Sequence, residues 1–248
     1  MIELSISADC HKGLVREKNE DMLLVSGHCT RDHSLFTKVD IGPTDRYIAA
    51  IADGMGGYDE GEIASEMTLH SLSDFFTQLP SNLSIEDLKD VTCEWAELIH
   101  NIVNEDASVK GVVRGTTLVA LAFYEDKMFF INCGDSRLYR YRDGVLSQLT
   151  SDHNLASLTG KSEDKHVVVN CIGAGSDSCF ADFIDISKRM FKDDQFILCS
   201  DGMSDMCADS EIEEALSLGY TASDLVALAN KKGGLDNVSV ISVKVNIL

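Results

Sequence analysis

The chain has 248 residues, of which 44% are hydrophobic and 25% are charged, and its formal net charge is −20. So acidic a chain lacks the basic surface that nucleic acids and anionic membranes bind, and we expect neither as a partner. No stretch approaches the roughly 20 apolar residues of a membrane span, and the N-terminal MIELSISADCHKG has no secretory signal pattern.

The absence of linker sequences predicts a single domain, and the cysteine pattern predicts an intracellular protein. Only two prolines occur and no Gly/Ser-rich linker is present, so we expect residues 1–248 to form a single domain. None of the eight cysteines belongs to a Cys-x-x-Cys pair, and Cys133, Cys171 and Cys199 lie in or beside apolar runs. We therefore expect free, mostly buried thiols and a reducing, cytoplasmic location.

Two helices are predicted in the first half of the chain. One runs from about residue 62 to 79, and the second covers residues 85–104, after a capping pair formed by Ser84 and Asp87. Both carry an apolar stripe at helical spacing, which we interpret as core packing. The stripe residues are Leu72, Phe75, Phe76 and Leu79 in the first helix, and Leu88, Val91, Trp95, Leu98, Ile99 and Ile102 in the second.

Short apolar runs predict strands in the second half of the chain. Asp143-Gly144 separates two of them and predicts a two-residue hairpin. A further helix begins after the capping pair Thr221 and Asp224 and ends at Gly233-Gly234. Because the connections between strands are short, we expect antiparallel pairing in a layered α/β (α+β) sandwich. The predicted strands are residues 116–123, 128–133, 138–142, 145–149, 195–200 and 238–247.

Two other Asp-Gly pairs, Asp53-Gly54 and Asp201-Gly202, differ from this hairpin. Each follows a run of small and apolar residues, and neither is followed by a return strand. Asp135 likewise closes a strand, and Asp236 directly precedes the last one. Each pair taken alone predicts a simple turn. Taken together, the acids could instead converge on one cleft.

Convergent carboxylates would repel one another, so they would have to be protonated or to hold a cation. Oxygen ligands of this kind suit Mg²⁺ or Mn²⁺ better than Zn²⁺. His153, the one histidine within a motif-like stretch, is interpreted as structural. The residues themselves leave a metal site and isolated turns open as alternatives.

Seven motifs in sequence order resemble those of the metal-dependent Ser/Thr protein phosphatases, the PPM or type 2C family. The resemblance extends from residue 16 to residue 243 and implies two antiparallel β-sheets packed face to face, with pairs of helices outside. The motifs are REKNED (16–21), ADGMGG (52–57), RGTTLVAL (114–121), NCGDSRLYRY (132–141), LTSDH (149–153), LCSDGMSDM (198–206) and GGLDNVSVISV (233–243).

The resemblance also implies metal ligands. Asp53 would bridge two Mn²⁺ or Mg²⁺ ions, and the carbonyl of Gly54 would complete one site. Asp201 and Asp236 would hold the second ion. In the prokaryotic-type members a third, weaker site uses the acid that matches Asp135, together with the one that matches Asp201.

Three further residues receive roles from the same resemblance. Arg16 would grip the substrate phosphate, and Glu20 and Asp21 would orient metal-bound waters from behind the ligands. The implied reaction is hydrolysis of phosphoserine or phosphothreonine in a protein substrate of a Ser/Thr kinase. A water or hydroxide bridging the two ions would attack phosphorus, without a phosphoenzyme intermediate.

The sequence departs from the family pattern at two places. Some members have a histidine, a candidate general acid, where this chain has Met55, so the source of the leaving-group proton is open. The flap-like segment after His153 is also short and ends in Asn170-Cys171-Ile172-Gly173, where many members have Arg-Ala-Leu-Gly. This difference leaves substrate selection open.

Two alternatives belong to other functional classes. A catalytically silent, phosphatase-like module could bind a phosphoprotein or regulate a kinase, although the intact acids and Arg16 count against it. An acidic Ca²⁺ buffer would need a D-x-D-x-D-G loop, which the sequence lacks.

Overall fold

The structure is a computed structural model that describes residues 2–55 and 60–247. Two large sheets and one small one form in this part of the chain, and every strand pairing within them is antiparallel. The strands are numbered in chain order. The last two glycines of the predicted ADGMGG motif, at positions 56 and 57, lie outside the described residues.

Sheet 1 joins the two ends of the chain and has the strand order β11-β10-β14-β15-β1-β4. The chain turns from β10 to β11 at Asp143-Gly144, where both residues have positive φ (51° and 84°), as a two-residue hairpin turn requires. The predicted hairpin is confirmed. The strands are β1 (Ile2–His11), β4 (Ser34–Ile41), β10 (Arg137–Arg142), β11 (Val145–Gln148), β14 (Gln195–Cys199) and β15 (Val238–Ile247).

Sheet 2 has the order β13-β9-β8-β5-β2-β3, and a three-stranded sheet with the order β12-β7-β6 lies at one of its ends. Thr117 separates β7 from β8, so the predicted strand 116–123 is two strands. The strands of sheet 2 are β2 (Met22–Val25), β3 (His28–Thr30), β5 (Arg46–Ala52), β8 (Leu118–Tyr124), β9 (Lys127–Cys133) and β13 (Asp182–Asp185); the small sheet contains β6 (Gly54–Met55), β7 (Gly115–Thr116) and β12 (Ile172–Gly173).

The two large sheets pack face to face around one apolar core, as the resemblance implies. Leu4 and Ile241 of sheet 1 and Ile51 and Leu121 of sheet 2 are fully buried in this core. Burial of each such side chain contributes about 1.5–3 kcal/mol to folding. The frame that carries the strand ends is therefore well fixed.

Helices cover the outer face of each sheet and complete four layers. Helices α1 (Gly61–Gln78) and α2 (Ile85–Lys110) pack on sheet 2, where Trp95 stacks on Phe75 with ring centroids 5.4 Å apart. Helices α5 (Asp209–Ser217) and α6 (Ala222–Lys231) pack on sheet 1, next to the one-turn helix α4 (Asp201–Ser204). In the described residues, we find no helix with the length and apolarity of a membrane span.

The second predicted helix is correct in its start and wrong in part of its stripe. Ser84 caps α2 through the backbone N–H of Asp87, as predicted, but the helix continues to Lys110 and ends at Gly111, whose φ is 71°. Leu98 and Ile102 are exposed, because the buried stripe follows Leu88, Thr92, Trp95, Ile99 and Val103 along one face.

Between His153 and Asn170 the chain forms the flap segment (residues 154–170), with helix α3 (Leu155–Thr159) and a single 3-10 turn at Ser162–Asp164. All eight cysteines are free thiols, and six of them are buried, as predicted.

Candidate active site

Four acids from both large sheets meet at one end of the sandwich. Asp53 follows β5 and Asp135 follows β9 in sheet 2, whereas Asp201 follows β14 and Asp236 precedes β15 in sheet 1. They surround a cavity of about 460 Å³. Its walls are formed by Arg16, Glu20, Asp53, Gly54, Met55, Thr117, Asp135, His166, Val168, Asp201 and Asp236. Seven of the eight predicted site residues thus line one cavity, and Asp21 is buried outside its wall.

The backbone at Asp53 is fixed by the break between β7 and β8. Its N–H donates to Thr117 Oγ1 (3.1 Å), and its carbonyl accepts from the Thr117 N–H and from Thr116 Oγ1, both at 2.9 Å. Thr117 lies inside the RGTTLVAL motif, but no local sequence pattern predicts this role for it. These bonds set the direction in which the Asp53 side chain leaves the sheet.

Close backbone contacts at two glycines bring the neighbouring acids together. A Cβ on Gly202 would lie 1.9 Å from the carbonyl oxygen of Asn237, so α4 rests directly on the chain that carries Asp236. A Cβ on Gly54 would lie 2.3 Å from the carbonyl oxygen of Gly61, at the start of α1. Only glycine fits at either position, which explains the second residue of both Asp-Gly pairs.

Asp21 lies behind the cavity and is completely buried. Its Oδ2 accepts a hydrogen bond from Ser200 Oγ (2.8 Å), while Oδ1 has no hydrogen-bond partner. Burial, reinforced by the charges of Asp201 and Asp236, raises its pKa to about 7. An unpartnered carboxylate oxygen of this kind would be relieved by a cation or by a metal-bound water in the cavity.

His153 holds the loop that carries Asp135. The N–H of Gly134 and the side-chain amide of Asn170 both donate to His153 Nδ1, at 3.2 Å and 2.8 Å, so Nδ1 is an acceptor. Nε2 then carries the proton and donates to Asp182 Oδ2 (3.0 Å). The structural interpretation of His153 is confirmed.

Arg16 and Glu20 lie on the loop between β1 and β2, at the mouth of the cavity. Arg16 Nη2 donates to Asp236 Oδ2 at 2.5 Å, and about half of the Arg16 side chain (53%) is exposed. The Glu20 N–H donates to Asn237 Oδ1 (2.8 Å), which ties this loop to the start of β15. Burial and the charge of Glu62 raise the pKa of Glu20.

The donor set and the electrostatics fit a hard divalent cation. Burial, and then the charges of Asp21, Asp201 and Asp135, raise the pKa of Asp53 well above its ordinary value. Repulsion and burial of this kind favour a proton or a cation between the carboxylates, and oxygen-only ligands select Mg²⁺ or Mn²⁺.

The carboxylates do not yet form a closed cage. Within residues 2–55 and 60–247, no group of three or more His, Cys, Asp or Glu side chains could hold a metal ion as it stands. Arg16 occupies one oxygen of Asp236, and Asp21 is bonded to Ser200. Ion binding would therefore require the acids to draw together and Arg16 to release Asp236.

Comparison with known proteins supports the same family as the motifs. The serine/threonine phosphatase stp of Listeria innocua is 30% identical to the chain over 96% of the chain and 94% of its own length. Protein phosphatase PhpP of Streptococcus pneumoniae is 30% identical over 81% of the chain and 87% of its own length.

Comparison with solved structures indicates the same family. The S. agalactiae serine/threonine phosphatase superposes with a TM-score of 0.79 at 25% identity and covers 97% of this chain and 98% of its own. The catalytic domain of the phosphatase PstP, in complex with two manganese ions, gives 0.73 at 27% identity and covers both chains completely. The family model described as protein phosphatase 2C matches residues 23–230. The chain therefore belongs to the protein phosphatase 2C family of serine/threonine phosphatases.

Proposed function

We propose that this chain hydrolyses phosphoserine and phosphothreonine esters of protein substrates with the help of two Mn²⁺ or Mg²⁺ ions. One observation carries the proposal: acids from four strand ends and one arginine surround a single cavity. The manganese ions in the related PstP structure support the choice of metal.

The acids would share the ions according to their position. Asp53 would bridge both ions, with the Gly54 carbonyl beside it, and Asp201 and Asp236 would hold the second ion. Asp135, together with Asp201, would form a third, weaker site. When bound, the ions supply an acidified bridging water as nucleophile and neutralise charge on the phosphoryl oxygens.

The remaining predicted residues act on the phosphate and on the waters. Arg16 stands half exposed at the cavity mouth, where its planar guanidinium suits two phosphate oxygens. The Glu20 side chain lines the same wall and would accept hydrogen bonds from metal-bound water there. Asp21, fixed by Ser200, keeps one oxygen free for such a water.

The same reasoning extends to the domain organisation, the cellular compartment and the partner of the enzyme. The shared sandwich core of the two sheets supports a single catalytic domain over residues 1–248. Eight free thiols support a reducing compartment, the cytoplasm. The partner is a phosphoprotein, the product of a Ser/Thr kinase.

The test is hydrolysis by the purified chain of p-nitrophenyl phosphate and of a phosphothreonine peptide, with Mn²⁺, with Mg²⁺ and with EDTA. We expect turnover of both substrates with either metal and none in EDTA. Asp53→Asn should lower kcat/KM by at least about 10²-fold, because the proposed shared ligand of the two ions loses its charge.

Asp143→Asn is the matched control, because it makes the same change in an Asp-Gly pair that lies in a hairpin far from the cavity. Its activity should equal that of the unchanged chain. Retained activity of Asp53→Asn would refute the assignment. A folded chain that binds Mn²⁺ but hydrolyses neither substrate would favour the silent binding module.

A further inference from the structure

The proposed reaction leaves one proton to be supplied. Cleavage of a phosphoserine or phosphothreonine ester expels an alkoxide, which is a poor leaving group unless a general acid protonates it. Met55, which lines the cavity at the position where some family members have histidine, has no proton to give. Among the described residues of the cavity wall, His166 is the one histidine.

His166 is held in place by a carboxylate. Its Nδ1 lies 3.2 Å from Asp205 Oδ2, and the other oxygen of Asp205 accepts from Lys165 Nζ at 3.0 Å. The N–H of Asp205 donates to the carbonyl of Asp201 (2.7 Å), so the carboxylate is itself attached to the end of α4. With Nδ1–H directed at Asp205, Nε2 is the nitrogen left for a substrate atom.

The backbone on both sides of His166 is also fixed. The carbonyl of Val167 accepts from the Leu155 N–H (2.7 Å), and the Val169 N–H donates to the carbonyl of His153 (2.8 Å). Hydrogen-bonded backbone therefore flanks His166 on both sides in the flap, although the side chain itself is largely exposed (62%).

His166 lies beside the position of the missing histidine. Met55, His166 and Val168 line both the acid cavity and a neighbouring cavity of about 360 Å³. The imidazole thus stands on the same shared wall as the Met55 side chain. On this shared wall the flap supplies the proton donor that Met55 lacks.

Charged groups surround His166. Asp205 faces it directly, and Lys165 shares that carboxylate. An arriving phosphate adds negative charge beside the ring.

We propose that His166, oriented by Asp205, is the general acid that protonates the seryl or threonyl leaving oxygen. The inference rests on the proposed phosphatase function. As the oxygen of a water forms its bond to phosphorus, the ester P–O bond breaks and its electron pair goes to the leaving oxygen. That oxygen takes the Nε2 proton of His166 and becomes the hydroxyl of the product. The attacking water loses a proton to solvent and the imidazole regains one, so the cycle balances.

The experiment compares two leaving groups in the Mn²⁺-loaded enzyme. p-Nitrophenolate leaves without a proton, whereas the threonyl oxygen needs one. For His166→Gln we expect kcat on a phosphothreonine peptide to fall about 10²-fold, and kcat on p-nitrophenyl phosphate to fall less than about threefold. Asp205→Asn should show the same selectivity with a smaller loss. Mn²⁺ affinity, measured by calorimetry, should be unchanged in His166→Gln.

Two controls distinguish the loss of the proton donor His166 from a general change in the flap and from the loss of any other histidine. His70→Gln removes an exposed histidine on α1, and Lys161→Gln removes an exposed charge elsewhere on the flap; neither should change the ratio of the two rates. An equal loss on both substrates in His166→Gln, or no loss on either, would overturn the proposal. An unchanged chain inactive on both would refute the phosphatase function itself.

Discussion

Asp135 shows most clearly how much the acid cluster lowers the free energy of unfolding when no metal is bound. The residue is only 6% exposed. Burial, and then the charges of Asp201 and Asp152, raise its pKa from the ordinary 3.8 to about 7. This difference corresponds to roughly 4 kcal/mol between the ionised and the protonated side chain in the folded protein.

The sign of the effect follows from proton binding. Between pH 4 and pH 7 the folded chain holds a proton on Asp135 that the unfolded chain has lost, so the stability of the metal-free protein falls as pH rises through this window. We expect Asp135→Asn to remove this penalty. In EDTA the variant should be more stable than the unchanged chain by about 2–4 kcal/mol at pH 8 and by less than about 1 kcal/mol at pH 4.

Urea unfolding followed by the fluorescence of Trp95 measures both values. Asp143→Asn, an exposed acid in the β10–β11 hairpin, is the control and should leave the pH profile unchanged. Saturating Mn²⁺ should stabilise the unchanged chain more than the variant, because a ligand stabilises the state it binds. Equal stability of Asp135→Asn and the unchanged chain at pH 8 in EDTA would refute the reasoning.

Three further changes probe the backbone contact, the helix cap and the phosphate anchor. Gly202→Ala forces a Cβ to within 1.9 Å of the Asn237 carbonyl oxygen, so we expect about 1–3 kcal/mol less stability by urea unfolding and at least about tenfold weaker Mn²⁺ binding by calorimetry. Ser84→Ala removes the α2 cap and should reduce stability by about 1 kcal/mol without changing kcat/KM; a changed kcat/KM would contradict its purely structural role. Arg16→Gln should raise the KM for a phosphopeptide, and it should tighten Mn²⁺ binding up to about fivefold because it frees Asp236 from a partly exposed ion pair. Weaker Mn²⁺ binding in that variant would contradict the competition between Arg16 and the ion.

The sequence was most informative where apolar runs are long. β8, β9 and β14 were predicted because buried strands covered on both faces show nearly continuous apolar residues. β1 was not predicted, although Leu4, Ile6 and Ala8 are buried and alternate with partly exposed residues. Its period-two signal is present, since Ser5, Ser7 and Asp9 alternate with the buried residues, but it lacks the continuous apolar run from which the other strands were predicted. The pairing of β1 with β15 joins the chain ends, and a local pattern does not contain such information.

The same distinction separates the cavity-lining residues that the sequence predicts from those that it does not. Asp53 and Asp201 could be found because each ends a buried strand inside a recognisable motif. His166 could not be predicted, because the flap has no apolar periodicity. Its partner Asp205 lies far along the chain, in the LCSDGMSDM motif. Thr117 was inside a motif, but its role depends on the break between β7 and β8, which the continuous apolar sequence conceals.

The carboxylates of the cleft lie close together although few basic side chains neutralise them. The way their backbone is anchored explains this arrangement. Hydrogen bonds from Thr117 fix the backbone at Asp53, the missing Cβ of Gly202 fixes Asp201 against the chain of Asp236, and His153 fixes the loop of Asp135. Because these anchors hold the backbone at the strand ends, the acids have little freedom to move apart and reduce their repulsion. Relief has to come from protons, from Arg16 or from a cation, and only a cation leaves both the carboxylates ionised and Arg16 free for phosphate. The raised pKa values of the cavity acids oppose their ionisation near neutral pH, and a bound divalent ion would remove this opposition.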